Sequence, residues 1–163
     1  MRKAQLRRWI VVPGLAGALL LGAGQMGWFS GRAPDDLGVR DGRLKAPAST
    51  PNSVSSQADL WPGPIAAQAR IEPLPVLGDG PATLARLRAE IETMPGARVV
   101  EARPDYLYVQ FTTRWLHFVD DAEFWFDSAS NVIHVRSASR IGRHDLGVNR
   151  ARIERLRARL AAR

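Results

Sequence analysis

Apolar residues alternate with polar ones along two neighbouring segments near the carboxyl end of this chain, and no other feature constrains the fold as strongly. In the stretch 119–150, Phe124 and Phe126 occupy alternate positions of one segment, and Ile133 and Val135 do so in the next. Side chains at i and i+2 lie on the same face of a β-strand. The pattern therefore predicts a β-hairpin with one apolar face.

The charged residues of the hairpin fall on its other face. The strand positions place Asp121 and Glu123 on one strand, and His134, Arg136 and Arg140 on the next. A slip of one residue would turn one strand inside out, so two registers remain. One sets Glu123 opposite Arg136. The other sets Asp121 opposite Arg136 and Glu123 opposite His134.

The rest of the chain predicts an α+β fold. PATLARLRAEIETM, opened by Pro81, and NRARIERLRARLAAR have apolar residues at helical spacing. ARVVEA and YLYVQFTTRWLHFV are rich in β-branched and aromatic residues, and IEPLPVLGDG suits an edge strand or an extended segment. We expect an antiparallel sheet of about four to five strands, packed by two helices on one face.

An uncharged run of 21 residues, Trp9 to Phe29, follows a basic stretch at residues 1–8. Such a run is long enough to cross a bilayer core of about 30 Å. Four basic residues before it and Asp35 and Asp36 after it predict a single-pass inner-membrane anchor with a cytoplasmic amino terminus and a periplasmic domain. A cleaved signal peptide that releases the domain to the periplasm is the alternative.

Residues 30–64 are rich in Gly, Pro, Ser, Asp and Asn, which predicts a tether with little core of its own. The folded domain is then expected over residues 65–163. Within the tether, Asn52, Ser55 and Ser56 are candidates for a functional loop, and a solvated turn is the alternative.

The net charge of +7 is confined to the two termini. Residues 1–8 carry four basic groups and no acid, residues 148–163 carry six Arg and one Glu, and the rest carries 13 basic and 15 acidic groups. This distribution lacks the broad positive face that binding to nucleic acid requires, so we expect no nucleic-acid partner. The chain has no Cys, and its three His show no metal-binding spacing, so no metal or cofactor is expected.

Acidic and basic residues around the hairpin form the candidate site. We expect them to converge into a polar cluster for a small anionic or cationic ligand or a protein partner, and the alternative is a purely structural charge lattice. The candidates are Asp120, Asp121, Glu123, Arg136, Arg140, Asp145, Asn149 and Arg150. Asn149 is also expected to be the N-cap of the last helix.

An enzymatic alternative is a metal-independent hydrolase that uses Asp121 or Glu123 with His134. Ser137 and Ser139 are expected on the apolar face, and the chain has no nucleophile elbow and no phosphate-binding Gly loop. No catalytic residue is therefore assigned. We expect a membrane-tethered exported domain that binds a ligand or a protein partner, rather than an enzyme.

From Leu37 onward the chain resembles a bacterial and plastid family known as domain of unknown function 1499. The resemblance is carried by GVRDGRL, TPNSVSS, IEPLPVLGD, FVDDAEFWFD, VIHVRSASRIG and DLGVNRARI, and most specifically by VDDxEF followed by RSASRxGxxDxGxNR. It implies an exported or membrane-attached α+β domain without an assigned reaction. The positions that it marks for testing are Asn52, Ser55, Ser56, Asp120, Asp121, Glu123, Arg136, Ser137, Ser139, Arg140, Asp145, Gly147, Asn149 and Arg150.

The chain departs from that family at one loop. The family pattern often reads PCPxxPNCVSS, and here Pro47 and Ser53 stand where the two cysteines would be. A disulfide across this loop is impossible in this chain, so packing and hydrogen bonds must hold the loop.

Overall fold

A computed structural model describes residues 15–162, apart from the side chains of Ile65 and Ala66. In this part of the chain it has the predicted α+β fold, with an antiparallel sheet of six strands rather than four to five. The strands are β1 Ser53–Ser55, β2 Leu74–Pro75, β3 Ala97–Ala102, β4 Tyr106–Thr112, β5 Val119–Asp127 and β6 Val132–Ser139. The helices are α1 (the described residues 15–25), α2 Pro64–Ala69, α3 Gly80–Glu92 and α4 Val148–Ala161, with a 3-10 turn at Ala58–Leu60.

The strand order is β1-β6-β5-β4-β3, and β2 also pairs with β6. β1 has no counterpart among the predicted strands, and β2 is the predicted edge segment. β1 pairs with residues 136–138 and β2 with residues 132–133, so two short strands share the outer edge of β6. The predicted hairpin is therefore the centre of the sheet rather than its edge.

The main apolar core lies between one face of the sheet and helices α3 and α4. Asp79 caps α3 by accepting a hydrogen bond from the N–H of Ala82 at 2.8 Å, and the predicted stripes of both helices face the sheet. Fully burying each large apolar side chain contributes about 1.5–3 kcal/mol. The core includes Leu84, Leu87, Ile91, Phe124, Ile133, Val135, Ile153, Leu156 and Leu160.

Residues 30–64, predicted as a tether with little core of its own, pack in part on the sheet, which corrects that prediction. Part of this segment lies across the second face of the sheet, where Leu44 packs with Tyr106 and Tyr108 in a smaller apolar cluster. β1 belongs to the same segment and adds to the edge of β6. The prediction failed because this segment is held mainly by backbone hydrogen bonds and a few apolar contacts, which leave no periodic pattern in the sequence.

The amino-terminal helix contacts the rest of the structure only near its end. Residues 15–22 of α1 are exposed, whereas Gly24 lies against the backbone of Leu116 so closely that a Cβ there would be 2.8 Å from the Leu116 Cα. No helix within residues 15–162 is long and apolar enough to cross a membrane. Residues 1–8 and the first part of the expected anchor, residues 9–14, lie outside the described residues, so the anchor stays a prediction.

Candidate functional site

The structure selects one of the two predicted registers of the hairpin. Glu123 pairs with Arg136, and Asp121 pairs with Ala138. The two acids and the two arginines lie on one face, as the alternation predicted, but that face is not open. Residues 30–62 cover it, so Glu123 is 0% and Arg136 is 4% exposed.

Glu123 and Arg136 form a buried ion pair that is too long for a hydrogen bond. Arg136 Nη1 lies 3.6 Å from Glu123 Oε2, and neither of these buried atoms has a hydrogen-bond partner. The other carboxylate oxygen, Oε1, accepts hydrogen bonds from the N–H of Gly38 at 2.7 Å and the hydroxyl of Tyr106 at 2.9 Å. The pair is thus satisfied on one side only.

Burial changes the proton affinity of both members of the pair. It raises the pKa of Glu123 above its usual value, although the Gly38 N–H and the Arg136 charge oppose this rise. Burial also lowers the pKa of Arg136, against the attraction of Glu123. An arginine remains charged in proteins, so the guanidinium keeps its demand for acceptors.

Asp121 and Arg140 form the second pair on this face, and it has good geometry. Arg140 Nε and Nη2 each donate to the carboxylate of Asp121 at 2.7 Å, and the hydroxyl of Tyr108 donates to it at 2.6 Å. The hydrogen bond to Asp121 raises the pKa of Arg140. Such a two-pronged pair leaves few groups free for a ligand.

A cavity of about 390 Å³ lies between these pairs and the covering segment. Its charged lining residues are Arg32, Asp35, Asp36, Lys45, Asp121, Arg136 and Arg140. Lys45 is hydrogen-bonded to Asp36, and that bond lowers the pKa of the Asp36 carboxyl. The cavity is lined by four cations. Three of them pair with a carboxylate of the lining: Arg32, Lys45 and Arg140. The fourth, Arg136, is paired with Glu123, which is not part of the lining.

The second face of the hairpin holds a different polar network, between the sheet and α4. Arg152 Nη2 donates to Asp120 at 2.7 Å, and its Nη1 donates to Asn149 Oδ1 at 2.9 Å. The hydroxyl of Ser137 also donates to Asn149 Oδ1, at 2.5 Å. Asp120 therefore lies on the face opposite to Asp121, and the predicted cluster is divided into two.

Asn149 is not the N-cap of α4, which corrects the prediction. The helix begins at Val148, its N-cap is Gly147 with φ of 81°, and Asn149 is fully buried inside the first turn. The capping acceptor is Asp145, whose carboxylate binds the N–H groups of Gly147 and Asn149, both at 2.9 Å. Burial by itself would raise the pKa of Asp145, but these N–H groups outweigh it and lower the pKa.

The remaining predicted residues have structural partners. Arg150 donates to the carbonyls of Gln68 and Arg70, outside both clusters. Asn52 donates to the carbonyl of Gly142 at 2.7 Å, and its own carbonyl accepts from Asn149. Ser55 accepts a hydrogen bond from the N–H of Gln57.

His134 does not contact the two carboxylates with which the hydrolase reading pairs it. Its ring stacks on Trp125 at 5.5 Å, Nδ1 lies 3.1 Å from the hydroxyl of Ser56, and Nε2 lies 3.7 Å from Asp127. The Ser56 hydroxyl is also hydrogen-bonded to the N–H of Val135 at 2.9 Å. Burial lowers the pKa of His134, and within residues 15–162 no three His, Asp or Glu residues are grouped to hold a metal.

Several neighbours of the charged residues were not predicted from the sequence. Tyr106 and Tyr108 share the face of Glu123, and the alternation in β4 would have placed them there once the strand pairing was known. Arg152 lies four residues before Leu156 on the buried side of α4, so helical spacing points it inward. No local pattern marks Gly38, Asp36 or Lys45.

The model of one protein family matches residues 43–160 of the chain, which is most of its length. That family is described as protein of unknown function (DUF1499). No curated protein and no solved structure matches the chain.

Proposed function

Since the chain belongs to the family described as protein of unknown function DUF1499, we propose a function from its own geometry. The protein is an exported domain, held at the membrane by its amino-terminal segment, that binds a small polar ligand. An anionic oxygen of that ligand pairs with Arg136 in the 390 Å³ cavity. The observation that carries this proposal is the buried Nη1 of Arg136, which has no hydrogen-bond acceptor among the described residues.

Arg136 has one hydrogen bond to the protein, from Nε to the carbonyl of Ala46 at 3.0 Å. Its Nη1 has no hydrogen-bond acceptor among the described residues, since Oε2 of Glu123, with which it is paired, lies 3.6 Å away. Leaving buried donors without acceptors costs about 1–3 kcal/mol, and more for a charged group. A ligand oxygen at the cavity side of Arg136 would remove part of that cost, which favours carboxylates and phosphates.

The other charges of the cavity supply selectivity. The cations Lys45 and Arg140 are already matched by Asp36 and Asp121, so they attract a second anion less than Arg136 does. Asp35 and Asp36 lie in the same lining and accept hydrogen bonds from ligand hydroxyl or amino groups. The cavity volume is at the lower end of the range for small-molecule sites.

The membrane part of the proposal is supported by the sequence and by the way α1 meets the domain. The uncharged run ends at Phe29, and the ring of Phe29 stacks on Phe118 with 5.3 Å between centroids. A retained anchor would therefore end directly on the β4–β5 loop. The intact mass of the protein from the membrane fraction tests this, because loss of about 15–30 residues would identify a cleaved signal peptide instead.

Binding is tested with succinate and inorganic phosphate as probes, and with uncharged succinamide as the reference. We expect the anions, but not succinamide, to raise the melting temperature of the full-length protein in detergent micelles and to bind saturably in calorimetry. If neither anion exceeds succinamide, the cavity does not select an anionic group and the charges are a structural lattice.

A pair of double variants locates the binding. Glu123→Gln with Arg136→Met removes both charges of the buried pair at nearly constant volume, so folding should survive. Asp120→Asn with Arg152→Met does the same on the other face of the hairpin. We expect the first variant to lose anion binding at least tenfold and the second to keep it. Equal loss in both would overturn the assignment to Arg136.

A further inference from the structure

A second cavity lies where α4, the α3–β3 turn and the end of β4 meet. It has a volume of about 580 Å³, and Met94, Phe111 and Val148 form part of an otherwise largely apolar lining. Three arginines line it as well: Arg114, Arg152 and Arg155. A cavity of this size with an apolar wall and a few cations fits a molecule with an anionic head and an apolar body.

The arginines differ in their availability. Arg152 is buried, paired with Asp120 and placed over the ring of Phe111 at 4.2 Å, so it forms a fixed wall. Arg114 and Arg155 are exposed, and neither forms an ion pair with a carboxylate within residues 15–162. Arg114 lies over the ring of Trp115, at 4.9 Å from the centroid. No acidic residue lines the cavity. Two positive charges without a carboxylate partner among the described residues therefore lie beside an apolar cavity.

The cavity belongs to an end of the domain that is rich in exposed apolar side chains. We call this the loop end. It comprises the loops 113–118 and 140–147, which join β4 to β5 and β6 to α4. Trp115, next to Arg114, is 62% exposed, and Leu146, two residues before Val148, is 97% exposed. Scattered exposed apolar residues are ordinary, but a cluster of them beside an apolar cavity marks an interaction surface.

The amino-terminal segment identifies the partner of this surface. α1 ends on the same loop, since the amide of Gln25 donates to the carbonyl of Trp115 at 3.0 Å and Phe29 stacks on Phe118. Indole rings favour the headgroup level of a bilayer, and Trp28 at the end of the uncharged run is 70% exposed. If the run lies in the membrane, Phe118 and its loop must lie at the headgroup level beside it.

We infer that the loop end rests on the bilayer and that the 580 Å³ cavity binds the headgroup of an anionic phospholipid through Arg114 and Arg155. This inference rests on the membrane tether of the proposed function and is independent of the Arg136 cavity. Leu146 and Trp115 dip into the interface, and the Phe111 wall receives the upper part of an acyl chain. Electrostatic attraction between anionic lipid headgroups and the arginines orients the domain.

The first experiment measures lipid selectivity. The full-length protein is placed in phosphatidylcholine nanodiscs with or without phosphatidylglycerol, and native mass spectrometry counts the lipids that it retains after release. We expect retention of phosphatidylglycerol over phosphatidylcholine. Arg114→Ala with Arg155→Ala should weaken it roughly 30-fold, because each basic residue near an anionic surface contributes about fivefold.

The control is Arg40→Ala with Arg43→Ala, which removes the same charge from two exposed arginines in the segment before β1. Unchanged retention in this control supports a site, and an equal loss would reduce the effect to overall charge and overturn it. Laurate that binds as tightly as phosphatidylglycerol would overturn the phospholipid assignment. Retention without preference between the two lipids would overturn the whole inference.

The second experiment measures depth. Because the chain has no cysteine, Leu146→Cys and Ser128→Cys each carry one fluorescent label, the second in the β5–β6 turn at the opposite end of the sheet. In nanodiscs the label at 146 should shift to the blue and resist an aqueous quencher, unlike the label at 128. If the intact chain inserts but the two labels respond alike, the assignment of the lipid-facing end is wrong, while the proposed membrane tether is retained. A chain that does not co-elute with nanodiscs would refute the tether and this inference with it.

Discussion

The two faces of the β5–β6 hairpin bury charge in opposite ways. On the face toward α4, Asp120 and Arg152 are joined by a 2.7 Å hydrogen bond, and Asn149 completes their network. On the face toward residues 30–62, Glu123 and Arg136 are 3.6 Å apart and leave buried atoms unsatisfied. A satisfied network fixes the position of a helix, whereas an incomplete one leaves room for a ligand atom.

The largest effect is expected from Arg136→Ala. It leaves Glu123 as an unpaired charge at a fully buried position, which typically costs about 3–5 kcal/mol. Chemical denaturation of the full-length protein measures this loss. The Glu123→Gln, Arg136→Met double variant serves as the control and should recover most of it, since neither charge is then stranded. A double variant as unstable as Arg136→Ala would show that shape rather than charge holds this face.

Asn149→Ala disrupts the hydrogen-bond network on the other face of the hairpin. The amide joins Ser137, Arg152 and Asp145 in one network, so its removal strands several buried groups and should cost about 2–3 kcal/mol in the free energy of unfolding. Gln68→Ala, at an exposed amide, is the matched control and should stay within about 0.5 kcal/mol. A loss as small as that of the control would mean that the network is not needed to seat α4.

Acidification should change the contributions of Glu123 and Asp145 to the free energy of unfolding in opposite directions. Burial raises the pKa of Glu123, so the folded state binds its proton first and this group favours folding at acid pH, an advantage lost as pH rises through the folded pKa. Asp145 has a lowered pKa, so its contribution is present above the unfolded pKa and is lost as pH falls. Glu123→Gln should therefore steepen the fall in stability with acid, and Asp145→Asn should flatten it. Unfolding curves recorded at a series of pH values check both, and identical slopes in the two variants would contradict the assigned shifts.

The smallest effect is expected at an exposed pair. Arg88 and Glu92 on α3 form a 2.8 Å ion pair with about half of each side chain exposed. Solvent screening limits such i, i+4 pairs to about 0.3–0.5 kcal/mol. A double-mutant cycle with Arg88→Ala and Glu92→Ala measures the coupling, which should fall to near zero at high salt. If this coupling energy were as large as that of the buried ion pairs, burial could not explain why the exposed and buried pairs differ in strength.

Much of the fold was predictable because it depends on local periodicity. Phe124 and Phe126 do face Ile133 and Val135, and the stripes of α3 and α4 do face the sheet. The alternation also placed Glu123 and Arg136 on one face correctly. Convergence of the candidate residues was predictable only in part, because Asp120 follows the alternation to the opposite face and Arg150 binds backbone carbonyls elsewhere.

What covers the charged face was not predictable. Gly38 and Ala46 reach Glu123 and Arg136 through backbone groups, and every residue type offers such groups, so the sequence carries no trace of these contacts. The same holds for the capping of α4. Asp145 and Asn149 are both good cap residues by type, and only the buried partners of Asn149 show that Asp145 has that role.

By itself, the sequence determined the α+β class, the inward face of each main element, the family and the pairing of acids with arginines on one face. Those properties follow from side-chain period and composition, which are local. Only the tertiary structure decided that this face is covered, that Nη1 of Arg136 has no acceptor among the described residues and that a second cavity is lined by Arg114 and Arg155. Burial and hydrogen-bond satisfaction depend on which distant segment packs on a residue, so they arise only when the chain is folded.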